Sequence, residues 1–273
     1  MVCCWAFNQN PDPAPGNHLV TVVTRVSPHL FLNDALDDEA LAGSRLCVAA
    51  MTVLRCATDP GGIGLTKSGA LNRRFVTWAV DEFQWPYYIP ADLAVVNRVL
   101  NEEDFLPVSY LHELLSSAKL IRHAKHHVLL TETGRKHLGQ SGRLQAVLFE
   151  TFFTRFDFPA RERWLIEMPD ADTFHFLAVI HTHLADWVAY PEFVASCLPI
   201  FALPAQRGTP EEDAMFYLAT RLVRPLTWLG LLEQDEARHY QPIQTRRLRK
   251  TALFDRFFRF RPVLTDNALR TVQ

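Results

Sequence analysis

The sequence predicts a mainly helical protein, and three observations support this fold class. Apolar residues recur at the three- and four-residue spacing of amphipathic helices along most of the chain. Only 11 of the 273 residues are glycine, which disfavours a turn-dense all-β fold. Hydrophobic residues make up 48% and charged residues 21%, so the chain has enough apolar side chains to fold around sizeable cores.

Residues 1–30 are predicted to form a flexible leader, because the proline-rich run Pro11–Gly16 excludes regular structure. The first helix is expected to begin at a cap on Asn33 or Asp34, whose side chains can accept hydrogen bonds from exposed backbone N–H groups. This helix is expected to run to about Ala57.

A short strand, further helices and a hairpin follow. The strand is expected at Ile63–Thr66, the helices over 70–84, 91–100 and 107–117, and the hairpin strands at Leu120–His123 and His127–Thr131. Helices closed by a hairpin are the element order of a winged helix, in which the hairpin is the wing. One more helix, over 143–155, completes the first predicted domain.

The helix over 107–117 occupies the place of a recognition helix, which enters the major groove in winged helices that read DNA. Leu111, Leu114, Leu115 and Ala118 follow the spacing of one buried face. The residues expected to face outward are Ser109, His112, Glu113, Ser116 and Ser117. None of them is the arginine or asparagine that best recognises base edges.

The second half of the chain repeats the same order of elements. Helices are expected over 172–188 and 191–201 and after a cap at Thr209, followed by a hairpin of Leu231–Glu233 with Arg238–Ile243 and a last helix over 251–260.

We therefore predict two winged-helix modules in tandem. The first lies within 60–140 of a domain that spans 31–156, and the second forms the domain 172–261. Residues 157–171 are predicted to connect the two domains, and residues 262–273 to form a tail.

The pattern L-T-x-x-G occurs twice, in Leu65–Gly69 and in Leu130–Gly134. Each copy lies between a predicted strand and a predicted helix. We expect the threonine to cap the following helix and the glycine to allow another chain segment to approach closely.

Parts of the sequence resemble a winged-helix module of uncharacterised bacterial and mobile-element proteins. The segments that carry the resemblance are Leu65–Val76, Leu111–Arg122 and Val128–Arg135. Some copies of that module are fused to a plasmid-type open-reading-frame family. The resemblance covers residues 35–155 and, more loosely, 210–260. It implies a fold but no established activity. The module usually has a glycine where this chain has Ala118 and Lys119.

Sequence motifs of catalysis and cofactor binding are absent. There is no P-loop, no G-x-S-x-G, no H-E-x-x-H and no dinucleotide-binding glycine pattern. The five cysteines lack the spacing of zinc ligands or of a disulfide framework. We therefore predict that the protein is not an enzyme and holds no metal or redox cofactor.

Clustered histidines and acids are interpreted as surface or core features. His123, His126 and His127 are expected to be solvated wing residues, since neither cysteine nor carboxylate accompanies them. The acidic run Glu102–Asp104 is expected to solvate a turn. His181 and His183 would diverge on a helix and therefore could not share a metal ion.

Two basic stretches, 119–137 and 244–261, overlap the predicted wings. Lysine and arginine on a wing can neutralise DNA phosphates and release counterions. The residues predicted to bind nucleic acid are Lys119, Arg122, Lys125, Arg246, Arg247, Arg249 and Lys250. A net charge of −2 and a pI of 6.6 count against strong binding without such local patches.

Two hypotheses about function follow. The leading one is a DNA-associated winged-helix protein, such as a regulator carried by a mobile element, with double-stranded DNA as its partner. The alternative is a non-catalytic adaptor that binds a protein partner through the same fold, near Trp85, Tyr87 and Tyr88. Neither a signal peptide nor a membrane span is visible in the sequence, so we expect a cytoplasmic protein without membrane partners.

Overall fold

A computed structural model describes most of the chain, namely residues 23–27, 29–96, 99–156, 173–200, 209–235 and 243–261. Helices predominate in these segments, as the apolar periodicity predicts. The predicted connector 157–171 and tail 262–273 lie outside the described residues, as does the leader up to residue 22.

The first half of the chain combines helices with short strands. Its helices are α1 (Arg45–Cys56), α2 (Arg73–Phe83), α3 (Pro90–Val96), α4 (Leu106–Ser117), α5 (Glu132–His137) and α6 (Ser141–Thr154). Its strands are β1 (Val23–Ser27), β2 (Leu30–Asn33), β3 (Ile63–Gly64), β4 (Ile121–Ala124) and β5 (His127–Leu130). A 3-10 turn, Glu102–Asp104, precedes α4.

The second half has a similar composition of elements. Its helices are α7 (Thr173–His183), α8 (Tyr190–Cys197), α9 (Pro210–Leu218), α10 (Arg224–Trp228) and α11 (Ala252–Phe257). A π-helical segment, Ala219–Val223, joins α9 to α10. The strands are β6 (Val188–Ala189), β7 (Leu232–Gln234), β8 (Arg247–Lys250) and β9 (Phe258–Phe260).

Two of the antiparallel sheets have the same strand order. In the first half the order is β3-β5-β4, and in the second it is β6-β8-β7. In each sheet the strand that comes last in the chain lies in the middle, between a strand from before the helices and its own hairpin partner. The third sheet, β1-β2-β9, joins the beginning of the described chain to its end.

The turn from helix to hairpin is also the same in both halves. The N–H of Leu120 donates to the carbonyl oxygen of Leu115 at 2.9 Å, and the N–H of Leu231 donates to that of Leu226 at 2.8 Å. The residue before each of these leucines has a positive φ: 58° at Lys119 and 72° at Gly230. Lys119 thus takes the left-handed conformation, at the position where the module that the sequence resembles usually has a glycine.

The second L-T-x-x-G copy behaves as the sequence predicts. The hydroxyl of Thr131 accepts from the N–H of Gly134 at 2.9 Å and caps α5. A Cβ on Gly134 would lie 2.1 Å from the carbonyl oxygen of Leu120, so only glycine fits there. In the first copy the expectation of a helix cap was wrong. The hydroxyl of Thr66 accepts from the backbone N–H of Ala70 within a turn, and Asn72 caps α2 instead.

The two halves share one hydrophobic core. Buried residues from α1, α4, α6, α8, α10 and α11 belong to a single cluster. Aromatic contacts cross between the halves: the rings of Trp85 and Trp228 are 5.4 Å apart, and those of Phe149 and Phe258 are 5.0 Å apart. The buried residues of the two halves therefore form one continuous cluster.

Near the beginning of the chain the predicted boundaries were wrong. Strand β1 lies inside the segment predicted to be a flexible leader, and it pairs with β2. The first helix begins at Arg45 with Ser44 as its cap, not at Asn33 or Asp34. The reason is that β2 extends to Asn33 in a sheet with β9, a pairing that depends on the far end of the chain.

In the second half the structure places the later strand of the hairpin elsewhere than the sequence analysis did. It was predicted at Arg238–Ile243, whereas β8 covers Arg247–Lys250 and Ile243 lies in a 3-10 turn. Residues 238–242 are outside the described chain. The last predicted helix, over 251–260, is divided because Phe258–Phe260 leaves the helix and pairs with β2 as β9.

Candidate nucleic-acid interface

The hairpin of β4 and β5, predicted from the sequence to be a wing and called the first wing below, is closed by Lys125 and His126. Ala124 pairs with His127, so only two residues form the loop. Their φ angles of 48° and 63° are both positive, as in the tight turns that match the twist of paired strands. This geometry projects both loop side chains at the tip of the hairpin.

Three of the predicted binding residues lie on this wing or at its base. Lys119, Arg122 and Lys125 are all exposed. Among the side chains that the structure describes, no carboxylate lies within ion-pair distance of any of the three. The positive charge of the first wing is therefore not neutralised locally, and it is available to an anionic partner.

Helix α4, the predicted recognition helix, is largely covered. It packs against α1, α6 and the 3-10 turn. Ser109 and His112 are only 5% and 9% exposed, so the prediction that they face outward was wrong. Elements on several sides of α4 cover even its polar positions. The spacing of apolar residues along one helix cannot predict such coverage. Glu113, Ser116 and Ser117 are half-buried.

A line of polar side chains joins α4 to the first wing. Oε1 of the buried Glu102 is 2.9 Å from Nδ1 of His112. Nε2 of His112 in turn lies 2.8 Å from Nε2 of His123 on β4. Glu102 was expected to solvate a turn, but it is 7% exposed and accepts from the backbone N–H of Leu71.

Sequence analysis missed this line of residues because its members come from three elements. Glu102 precedes α4, His112 lies within it and His123 belongs to the next strand. Each residue taken alone resembles an ordinary surface residue. A polar residue among the closely spaced leucines of α4 was the one available signal. Within the described residues, no three His, Cys, Asp or Glu side chains are grouped so as to hold a metal ion.

The second wing, β7 with β8, carries basic residues that are matched by acids. Nε of Arg247 is 3.0 Å from Asp235, and Nε of Arg249 is 2.8 Å from Glu233 on the neighbouring strand. Nζ of Lys250 is 2.7 Å from Asp255. These pairs leave little free positive charge among the four basic residues predicted on this side.

The surroundings of the second wing support the same conclusion. The guanidinium groups of Arg249 and Arg247 lie 4.6 and 5.7 Å from the centre of the Trp187 ring. Backbone and side-chain hydrogen bonds from Arg247 hold the pKa of Asp235 below its usual value, so this carboxylate stays charged. Arg246 donates to the side chain of Gln234 at 2.9 Å.

The aromatic residues considered as a protein-docking surface are only partly exposed. Trp85 is buried at 4% exposure, and Tyr88 is half-buried with its ring 5.3 Å from that of Phe105. Tyr87 is 48% exposed, and Arg246 lies over its ring at 6.0 Å. Tyr87 and the neighbouring Ile89, 53% exposed, are the apolar residues that a partner could reach here.

A cavity of about 420 Å³ is lined by Asp34–Glu39 and Gly139–Gly142. Its walls carry four acidic side chains and no basic one, so it would repel a phosphate group. The described helices include none that combines the length and the apolar character needed to cross a bilayer.

Comparison with known proteins supports a relationship in the first half of the chain. Residues 42–161, which include α1–α6 and the first wing, match the family described as the Y4jL N-terminal domain. The uncharacterized protein y4jL of Sinorhizobium fredii is 44% identical over 88 residues. These residues are 32% of this chain and 40% of that relative, so the similarity spans well under half of either protein.

No solved structure matches the chain. Across residues 42–161, the protein is therefore similar to the N-terminal domain of an uncharacterised bacterial family.

Proposed function

We propose that the protein is built on two winged-helix modules and associates with duplex DNA through its first wing. The proposal about the fold draws on the order of elements. In each half, a helix, a strand and further helices lead to a hairpin, and the last strand lies between the other two. The matching helix-to-wing turns and threonine caps support the equivalence of the halves.

The observation that carries the proposed function is the free positive charge of the first wing. Lys119, Arg122 and Lys125 are exposed and lack carboxylate partners among the described residues. Cations of this kind bind phosphates without reading base sequence. Because α4 is mostly buried, we expect contact with the DNA backbone and little base selectivity.

Salt-dependent binding to a labelled duplex of about 20 base pairs tests the proposal. Each phosphate that the protein no longer neutralises should make the slope of log affinity against log salt shallower by about 0.9. Replacing Lys119, Arg122 and Lys125 by Ala together should weaken binding and reduce the slope by up to about 2.7. A control with the same change in charge replaces Arg143, Arg256 and Arg259, which are exposed and belong to α6, α11 and β9 rather than to the first wing.

The proposal fails if the control variant loses as much affinity as the wing variant. It also fails if the wild-type affinity does not change with salt, because backbone contact must release counterions. The residues Arg246, Arg247, Arg249 and Lys250 contribute less on this view, since acidic side chains already neutralise most of them.

A protein-interaction adaptor is the second candidate, and specific observations favour it. Helix α4 is largely covered, three of the four basic residues predicted at the second wing have acidic partners, and Tyr87 and Ile89 are exposed. If this candidate is correct, the wild-type protein will not bind duplex near physiological salt. A partner recovered from the host will then survive nuclease treatment, and Tyr87→Ala with Ile89→Ala will abolish its binding.

A further inference from the structure

The line Glu102–His112–His123 connects a buried carboxylate to the exposed first wing. Glu102 accepts the backbone N–H of Leu71 on Oε2 at 2.5 Å and faces His112 with Oε1. The rings of His112 and His123 are 4.9 Å apart, with their Nε2 atoms 2.8 Å from one another. The proposed DNA contact does not involve Glu102, His112 or His123 directly.

The hydrogen bonds determine where protons sit in this line. A carboxylate oxygen only accepts, so Nδ1 of His112 must carry the proton in its contact with Glu102. The contact between the Nε2 atoms of His112 and His123 needs one proton between them, donated by one nitrogen and accepted by the other. The bond survives when the pair is neutral and when it holds one extra proton.

Protonation of both rings removes the bond. Two N–H groups then face each other, and two positive charges lie at hydrogen-bond distance. His112 is held in place by Glu102 and by its burial in α4. His123 lies on the exposed hairpin and is the ring that can move away.

His123 occupies a position from which it can hold the wing. Strand β4 is at the edge of its sheet, with β5 on one side only. The His112–His123 bond is a side-chain link from this edge strand to α4. Arg122 precedes His123 on the same strand, and Lys125 follows in the loop.

The charged groups that act on His123 come from two elements packed against it. Burial and the neighbouring His112 lower the pKa of His123, and Glu102 opposes them. Its partner across the hairpin, Val128 on β5, is apolar. A histidine with a lowered pKa stabilises the folded arrangement above about pH 6.5 and loses that contribution as the pH falls.

We propose that Glu102, His112 and His123 form a proton-operated latch that fastens the first wing to α4. At neutral pH the His112–His123 bond holds β4 in place. At lower pH a second proton breaks the bond, frees β4 and adds positive charge beside Arg122 and Lys125. The consequence for DNA, a tighter contact with phosphate at low pH, rests on the proposed function, whereas the latch itself does not.

Hydrogen exchange of the β4 amides in the full chain, without nucleic acid, tests the latch. Protection factors corrected for intrinsic exchange should fall about fivefold between pH 7.5 and pH 5, the effect of losing one hydrogen bond. His123→Ala should show the low protection at both pH values. His126→Ala, in the loop of the same hairpin, should keep the pH step because His126 lies outside the line.

The latch is refuted if wild-type protection in β4 does not change with pH, or if His123→Ala keeps the step. Duplex binding at the two pH values separates this outcome from the proposed function. A pH step in exchange without any duplex binding would leave the latch standing and overturn DNA association. Duplex binding without a pH step in exchange would support DNA association and overturn the latch.

Discussion

The side-chain amide of Gln145 donates to the backbone carbonyl oxygen of Leu229 at 2.9 Å, and so joins α6 of the first half to the end of α10 in the second. The amide oxygen of the same side chain accepts from the hydroxyl of Ser44, the cap of α1, at 2.8 Å. Gln145 and Ser44 are fully buried. One side chain thus satisfies polar groups from both halves inside their common core.

Replacement of Gln145 by Leu should destabilise the whole protein. Leucine has a similar size but leaves the Leu229 carbonyl and the Ser44 hydroxyl buried without partners, at about 1–3 kcal/mol each. Urea unfolding measures the free energy of unfolding. The matched control, Gln140→Leu, lies at an exposed position and should change it little. Equal stability of Gln145→Leu and wild type would contradict the bridging role.

The equivalent turns at Lys119 and Gly230 should respond to substitution in opposite directions. Lys119→Gly removes the cost of a left-handed side-chain residue and should raise the free energy of unfolding by about 0.5–1 kcal/mol. Gly230→Ala should lower it by about 2 kcal/mol or more, because the new Cβ would lie 2.7 Å from the carbonyl oxygen of Gly43.

Gly61 provides the control for these turn variants, since a Cβ there has no neighbour within 4 Å and its φ is not positive. Gly61→Ala should leave the midpoint of thermal unfolding almost unchanged. A gain in stability for Gly230→Ala would contradict the predicted clash and the cost of the left-handed conformation at this turn.

The caps at Thr131 and Thr251 should contribute equally. Thr131 accepts from Gly134 at 2.9 Å, and Thr251 accepts from Phe254 at 3.3 Å. Replacing either by Val removes the cap at nearly constant shape and should cost about 1 kcal/mol. Thermal denaturation followed by circular dichroism measures the decrease. Thr133→Val, at an exposed position on α5, serves as the control. If Thr251→Val leaves the stability unchanged, Thr251 does not stabilise its helix as Thr131 does.

The stability of the protein should fall in mild acid partly through His181. This ring stacks on Phe260 at 4.6 Å and lies 3.3 Å from Asp255. Burial first, and then Lys250, lower the pKa of His181, while Asp255 opposes the change. The unfolded chain therefore takes up the proton more readily, and stability declines as the pH falls below about 6.5.

Urea midpoints measured from pH 7.5 to pH 5 test this prediction. His181→Phe keeps the stacking and removes the proton site, so the decline should become shallower than in the wild type. His183→Gln, an exposed residue on the same helix, should keep the wild-type slope. The same slope in all three proteins would rule out a contribution from His181.

Local patterns were sufficient to predict much of the first half. The existence of the first hairpin, the cap at Thr131 and the buried leucines of α4 depend on contacts within a few residues along the chain. These features can be predicted from hydrophobic periodicity, turn geometry and capping chemistry. The mainly helical class follows from the same short-range signals.

Only the tertiary structure decided which charged and polar residues are exposed and which are buried or paired with an opposite charge. Arg249 and Glu233 are 16 residues apart, and they pair because β7 and β8 are neighbours. Likewise, His112 is buried because the turn at Glu102 folds back over α4. The exposed cations of the first wing differ from the neutralised ones of the second through neighbours that no local pattern encodes.

The sequence by itself thus determined most of the helices, the first hairpin and the placement of basic residues near it, because these depend on neighbours along the chain. The tertiary structure alone decided that the two halves share one core and that β2 pairs with β9, at positions such as Leu32 and Phe258. Contacts of this kind depend on packing and strand register between distant segments, where the free energy of burial selects one arrangement among many that the local signals allow.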